Sequence, residues 1–106
     1  DAMAVLEVAT GLDATNGAAQ MYLGTMLLRQ GDAQRASSAL ETSIQLSPHM
    51  AQAHNNLGVA RERMGLLGES LASFEEALRL DPSMGEAFCN AQLLTLRSQP
   101  QEAKNA

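Results

Sequence analysis

Carboxamide and guanidinium groups recur in this sequence at one fixed spacing. Asn56 and Asn90 lie 34 residues apart, Tyr22 stands 34 before Asn56, and Arg29, Arg63 and Arg97 form an unbroken column of the same period. Asn55 belongs to a neighbouring column with Met21 and Cys89. A carboxamide carries a donor and an acceptor on one planar group, so a ladder of them can pair with the backbone of an extended peptide whatever its side chains. The same residues also suit a solvated helix face. A guanidinium can grip a carboxylate or phosphate through paired N–H groups. The arginines also fall where a helix C-terminus favours a cation by roughly 0.3–1 kcal/mol, and near acids such as Glu62.

Other reactive side chains form no set. His49 and His54 are five residues apart, not the three or four that place two ligands on one helix face, and Cys89 is the single cysteine. No metal site or cofactor is expected from them. Cys89 reads as a small core or groove residue, and Met21 and Met26 as packing residues. No acid–base pair or phosphate-cradling loop marks a catalytic centre, so the chain is not expected to be an enzyme. One cysteine excludes an internal disulfide and leaves the compartment open, cytoplasmic or periplasmic.

The elements that must position these residues are helical. Hydrophobic residues make up 45% of the 106 positions, aromatics are scarce, and no run alternates with period two. The formal net charge of −5 argues against nucleic acid or an anionic membrane as partner, and no apolar stretch is long enough to insert in a bilayer. Six helical segments are predicted: Asp1–Leu12, Gly17–Gln30, Ala33–Leu46, Met50–Met64, Gly68–Leu80 and Met84–Ser98. Gly31 and Gly65 sit where a helix ends in a left-handed turn. Asp32 suits an N-cap, Pro48 and Pro82 separate helices, and Ser83-x-x-Glu86 has the spacing of a capping box. Short connections predict antiparallel hairpins.

The segment Gly17–Met50 aligns without a gap on Ala51–Met84, pairing Leu23-Gly24 with Leu57-Gly58, Gly31 with Gly65 and Pro48 with Pro82. A period of 34 residues signals a solenoid. The units resemble tetratricopeptide repeats, whose pattern is W-x2-L-G-x2-Y, A-x3-F, P. The second unit carries Leu57-Gly58, Phe74, Ala77 and Pro82, with His54 at the Trp place, Arg61 at the Tyr place and Ser70 at the first Ala place. The first carries Leu23-Gly24, Ala36-x3-Leu40 and Pro48, with Gln20 and Leu27 in place of the aromatics. The resemblance implies an all-α, right-handed superhelical array of hairpins. Its expected divisions are a second helix of a partial repeat (1–16), two repeats (17–50 and 51–84), a first helix of a partial repeat (85–98) and a frayed tail (99–106). Leu57, Gly58, Leu71, Phe74 and Ala77 should be buried, and Phe88 and Ala91 should pack back on the preceding hairpin.

In that family the first helix of each unit lines a concave groove. The resemblance therefore implies a peptide-binding groove bearing Tyr22, Asn55, Asn56, Asn90, Arg29, Arg63 and Arg97. Chaperone-binding members use a clamp of lysines, asparagines and an arginine to hold a C-terminal Glu-Glu-Val-Asp. Here the matching places hold Met21, Thr25, Asn56, Glu86 and Asn90. Only Asn56 fits and Glu86 reverses a charge, so that mode is not expected. The expected function is a non-catalytic protein–protein interaction module for an extended peptide or helix. The alternative is a self-assembling scaffold in a larger complex, such as a bacterial pilus or secretion assembly, associating through open repeat ends.

Overall fold

A computed structural model describes residues 16–97. Within them lie α1 (Gly17–Arg29), α2 (Ala33–Leu46), α3 (Ala51–Arg63), α4 (Leu67–Leu80) and α5 (Gly85–Arg97), and no strand. Every boundary falls within one residue of its expected place. The predicted Asp1–Leu12 helix and the tail 99–106 lie outside the described residues.

Glycine ends two of the helices as its backbone freedom predicts. Gly31 and Gly65 have φ of 84° and 83°, and each closes a Schellman motif. The Gly31 N–H donates to the Leu28 carbonyl and Asp32 N–H to that of Leu27; Gly65 and Leu66 repeat this on Glu62 and Arg61. The Asp32 carboxylate then caps α2 by accepting from the Arg35 N–H at 3.1 Å. Asn16 does the same for α1, accepting from the Ala19 N–H at 3.0 Å. The expected capping box at Ser83 is not formed. Its hydroxyl donates to Asp81 Oδ1 at 2.7 Å, because Asp81 holds a tight turn there and takes the Ser83 backbone N–H as well.

Each hairpin closes over a glycine. A Cβ on Gly24 would lie 2.5 Å from Leu40 Cγ, and one on Gly58 2.5 Å from the Phe74 ring. Leu40 and Phe74 are fully buried, each filling the notch opened by the glycine of its own hairpin. Two buried serines lock the same seams: Ser43 Oγ donates to the Gly17 carbonyl and Ser70 Oγ to the Gly58 carbonyl, both at 2.7 Å. Leu57, Gly58, Phe74 and Ala77 are buried as expected; Leu71 is only partly so, because it lines a shallow hollow with Leu78 and Phe88 on the outer flank of α4.

The first helices α1, α3 and α5 approach one another in sequence, whereas the backbones of α2 and α4 stay farther apart. Crowding on one layer and spacing on the other curves the array around the α1/α3/α5 side. The core of the first hairpin runs on into α3 through Met21, Leu27, Leu28, Ala36, Leu40, Ala53, Leu57 and Ala60, so the units share one interior.

Candidate interaction groove

Side chains stitch the three first helices into one wall. Between α1 and α3 a directional chain runs across the seam. Gln52 Nε2 donates to Asn56 Oδ1, Asn56 Nδ2 to Thr25 Oγ1, and Thr25 Oγ1 to the Met21 carbonyl, each at 3.0 Å. Farther along, Arg63 donates to the Leu28 carbonyl at 2.8 Å, adding a charged donor to an acceptor at the α1 C-terminus that the Gly31 N–H also reaches. Between α3 and α5 the pattern repeats with other atoms. Asn90 Nδ2 donates to Asn55 Oδ1 at 3.1 Å, and Arg97 pairs with the Glu62 carboxylate.

These bonds redistribute the predicted site. Tyr22 is 56% exposed and stands clear on the wall. Asn90 is half-buried and Arg29 exposed. Asn56 is 8% exposed, with its oxygen and one N–H already engaged inside the seam. Asn55 is fully buried between α3 and α5, and its Nδ2 finds no partner among the described residues. Arg63 and Arg97 lie in the expected line, each bonded to the preceding first helix at the equivalent place, Leu28 and Glu62. The place of the arginine column near helix ends and the nearness of Glu62 were legible in sequence; which backbone oxygen Arg63 would reach was not.

On its opposite face α3 forms the floor of a different feature. His54, Leu57 and Arg61 each lie two positions before Asn56, Val59 and Arg63, about 200° around the helix. They face α2 and α4, where Glu41, Ile44, Gln45, Ala72, Ser73 and Glu76 complete a hollow of about 550 Å³. Glu76 at its rim receives two hydrogen bonds from Arg79, which hold its carboxyl below the ordinary range, so it is ionised at neutral pH.

The fold and these seams define a class, the helical-hairpin solenoid with one crowded face. A profile of the tetratricopeptide repeat matches residues 22–84, more than half the chain, and the chain belongs to that family. No curated protein matches it. Among solved structures it is similar to the first TPR of Spaghetti (RPAP3) bound to the HSP90 peptide SRMEEVD, at TM-score 0.87 and 20% identity over 91% of this chain and 76% of that one. The second TPR domain of human RPAP3, in complex with the HSP70 peptide SGPTIEEVD, aligns at TM-score 0.84 and 21% identity over 89% of this chain and 78% of that one. MamA aligns at TM-score 0.86 and 26% identity over 92% of this chain and 57% of MamA, so the chain spans little more than half of that protein.

Proposed function

We propose that the chain is a non-catalytic protein–protein interaction module whose α1/α3/α5 wall receives an extended segment or helix of a partner. The observation that supports this reading is the continuous, cross-bonded wall itself, with Tyr22 exposed on it and no described element covering it. Tyr22 supplies a rigid amphipathic anchor at low entropic cost, and Asn90 retains a free carboxamide oxygen for backbone pairing. The two RPAP3 domains bind chaperone tails ending in Glu-Glu-Val-Asp. We do not extend that ligand to this chain, because Met21, Thr25 and Glu86 stand where the clamp needs lysines and an asparagine, and Asn56 is engaged by Thr25 and Gln52. The test is an affinity pull-down read by mass spectrometry, comparing wild type with a Tyr22→Ala, Asn90→Ala double variant. The expected result is a partner set captured by wild type and lost with the folded variant; an identical set from both proteins overturns the groove.

A second reading, self-assembly by end-to-end stacking, is favoured by the outer flank of α5. Leu96 is 55% exposed there, whereas Leu28, at the equivalent place in α1, is 8% exposed under α3.

A further inference from the structure

The two seams between first helices obey one register. Asn56 reaches Thr25 at a separation of 31 residues, and Arg63 reaches Leu28, Asn90 reaches Asn55 and Arg97 reaches Glu62 at 35. In each pair the donor lies on the leading edge of the later helix and the acceptor on the flank of the earlier one. On α1 the leading edge carries Tyr22 and Arg29, in the places of Asn56 and Arg63. On α5 the flank carries Cys89, Leu93 and Leu96, in the places of Asn55, Val59 and Glu62.

Burial separates the occupied places from the open ones. Met21, Leu28 and Asn55 are buried on the flanks of α1 and α3, whereas Cys89, Leu93 and Leu96 are exposed on that of α5. Asn56 is buried in its seam, whereas Tyr22, at the same place, is 56% exposed. The two open edges match each other. A second copy whose α1 is set one period beyond α5 continues the register of the internal seams. Its Tyr22 then falls on Leu93, as Asn56 falls on Thr25, and beside Cys89, as Asn90 lies beside Asn55. Its Arg29 falls on Leu96, as Arg63 falls on Leu28.

The chemistry at these places agrees with the match. Inside the molecule the first pair is Thr25 with Asn56, two polar groups sharing a hydrogen bond. At the open edges it is leucine with tyrosine, both more than half exposed, and an aromatic ring laid on leucine gains by leaving water. Arg29 is the one arginine of the column with no hydrogen-bond or ion-pair partner among the described residues. In the second copy's place it meets the last turn of α5, where the helix dipole favours a cation.

We propose that a second copy of this chain docks by its Tyr22 and Arg29 edge on the Cys89, Leu93 and Leu96 flank of α5, in the register of the internal seams. The proposal rests on the stacking reading above and adds to it the polarity and the residue pairs. Such a contact is head-to-tail, so a stack of any length keeps one edge of each kind open. Tyr22 then stands on the open wall only in the first copy.

The test uses two half-blocked copies. Leu93→Lys disables the flank and keeps the leading edge; Tyr22→Lys does the reverse. Both positions are exposed, so helix content and melt should match wild type. In sedimentation velocity the wild type should gain mass with concentration, and each variant alone should associate at least about tenfold more weakly. An equimolar mixture of the two variants should form a dimer at the wild-type affinity and stop there, because only one intact pair of edges remains. Variants that associate as the wild type does overturn the register and leave end-to-end stacking standing. A mixture no better associated than either variant alone overturns the head-to-tail pairing of these edges. A wild type that stays monomeric overturns the proposal and the stacking reading together.

Discussion

Two of the three arginines of the repeat column, Arg63 and Arg97, have the same place and different work. Arg63 donates to a backbone carbonyl at the C-terminus of α1 and is part-buried in that bond, whereas Arg97 meets Glu62 with most of its side chain in solvent. An exposed ion pair contributes about 0–1 kcal/mol and is screened by salt. A hydrogen bond from a charged donor to a helix-end acceptor contributes about 1.5–3 kcal/mol. Arg63→Ala should therefore destabilise the chain more than Arg97→Ala, and the cost of Arg97→Ala should fade as salt is raised. Urea unfolding at low and high ionic strength checks this; an equal cost for both, with equal salt dependence, removes the distinction. The identity of these residues as a column was plain from the period, because spacing fixes which face a side chain occupies. Their partners were not plain. Whether Asn56 meets solvent or Thr25 depends on how closely α1 and α3 approach, and that distance is set by packing far from the column. His54 and Arg61 were legible only as departures from the aromatic pattern. That departure is the sequence trace of the hollow, but its size depends on both neighbouring helices.

At the scale of elements, glycine does two unrelated jobs, and the structure separates them. Gly31 and Gly65 have positive φ and nothing within 4 Å of an added Cβ, so only backbone strain opposes a side chain there. Gly24 and Gly58 lie inside helices, where an added Cβ would press on Leu40 or Phe74 at 2.5 Å. Gly31→Ala should cost about 1–2 kcal/mol, the penalty of a left-handed alanine. It should leave the hairpin interface unchanged. Gly58→Ala gains about 1 kcal/mol of helix propensity but drives the Phe74 ring from a fully buried site, an overpacking cost of typically 1–3 kcal/mol. Phe74→Leu should relieve Gly58→Ala and do nothing for Gly31→Ala. A double-mutant cycle measured by thermal or urea unfolding gives the coupling directly, and the absence of coupling between Gly58→Ala and Phe74→Leu contradicts the close-approach role. These glycines, the caps at Asp32 and the helix boundaries were readable in sequence because each obeys a local rule. The capping box at Ser83 misled because Asp81, two residues away, offers Ser83 a nearer acceptor.

At the scale of the whole molecule, the array is one-dimensional, and each first helix is covered on one flank by the next. The flank of α3 is covered by α5, and that of α1 by α3. Among the described residues nothing covers the flank of α5, and Phe88, Leu93 and Leu96 are each more than half exposed there. Phe88 lines one hollow with Leu71 and Leu78 of the preceding hairpin. Its hollow is the one behind α3 moved on by a repeat, with Glu75, Leu78, Phe88 and Ala91 in the places of Glu41, Ile44, His54 and Leu57. The α4 wall of the earlier hollow has no described counterpart. A surface of this kind gains about 25 cal/mol for each Å² of apolar area it covers, and the geometry that covers it elsewhere is another helical hairpin in the same register. Such a contact is head-to-tail, so it grows with concentration and does not close on itself by two-fold symmetry. Sedimentation over a wide concentration range should show a mass that rises with concentration. The double variant Phe88→Ser, Leu96→Ser should remain monomeric with its helix content retained, since both side chains are already exposed. A wild-type chain that stays monomeric throughout, or a variant that associates equally, rejects stacking through this flank while leaving the groove reading untouched.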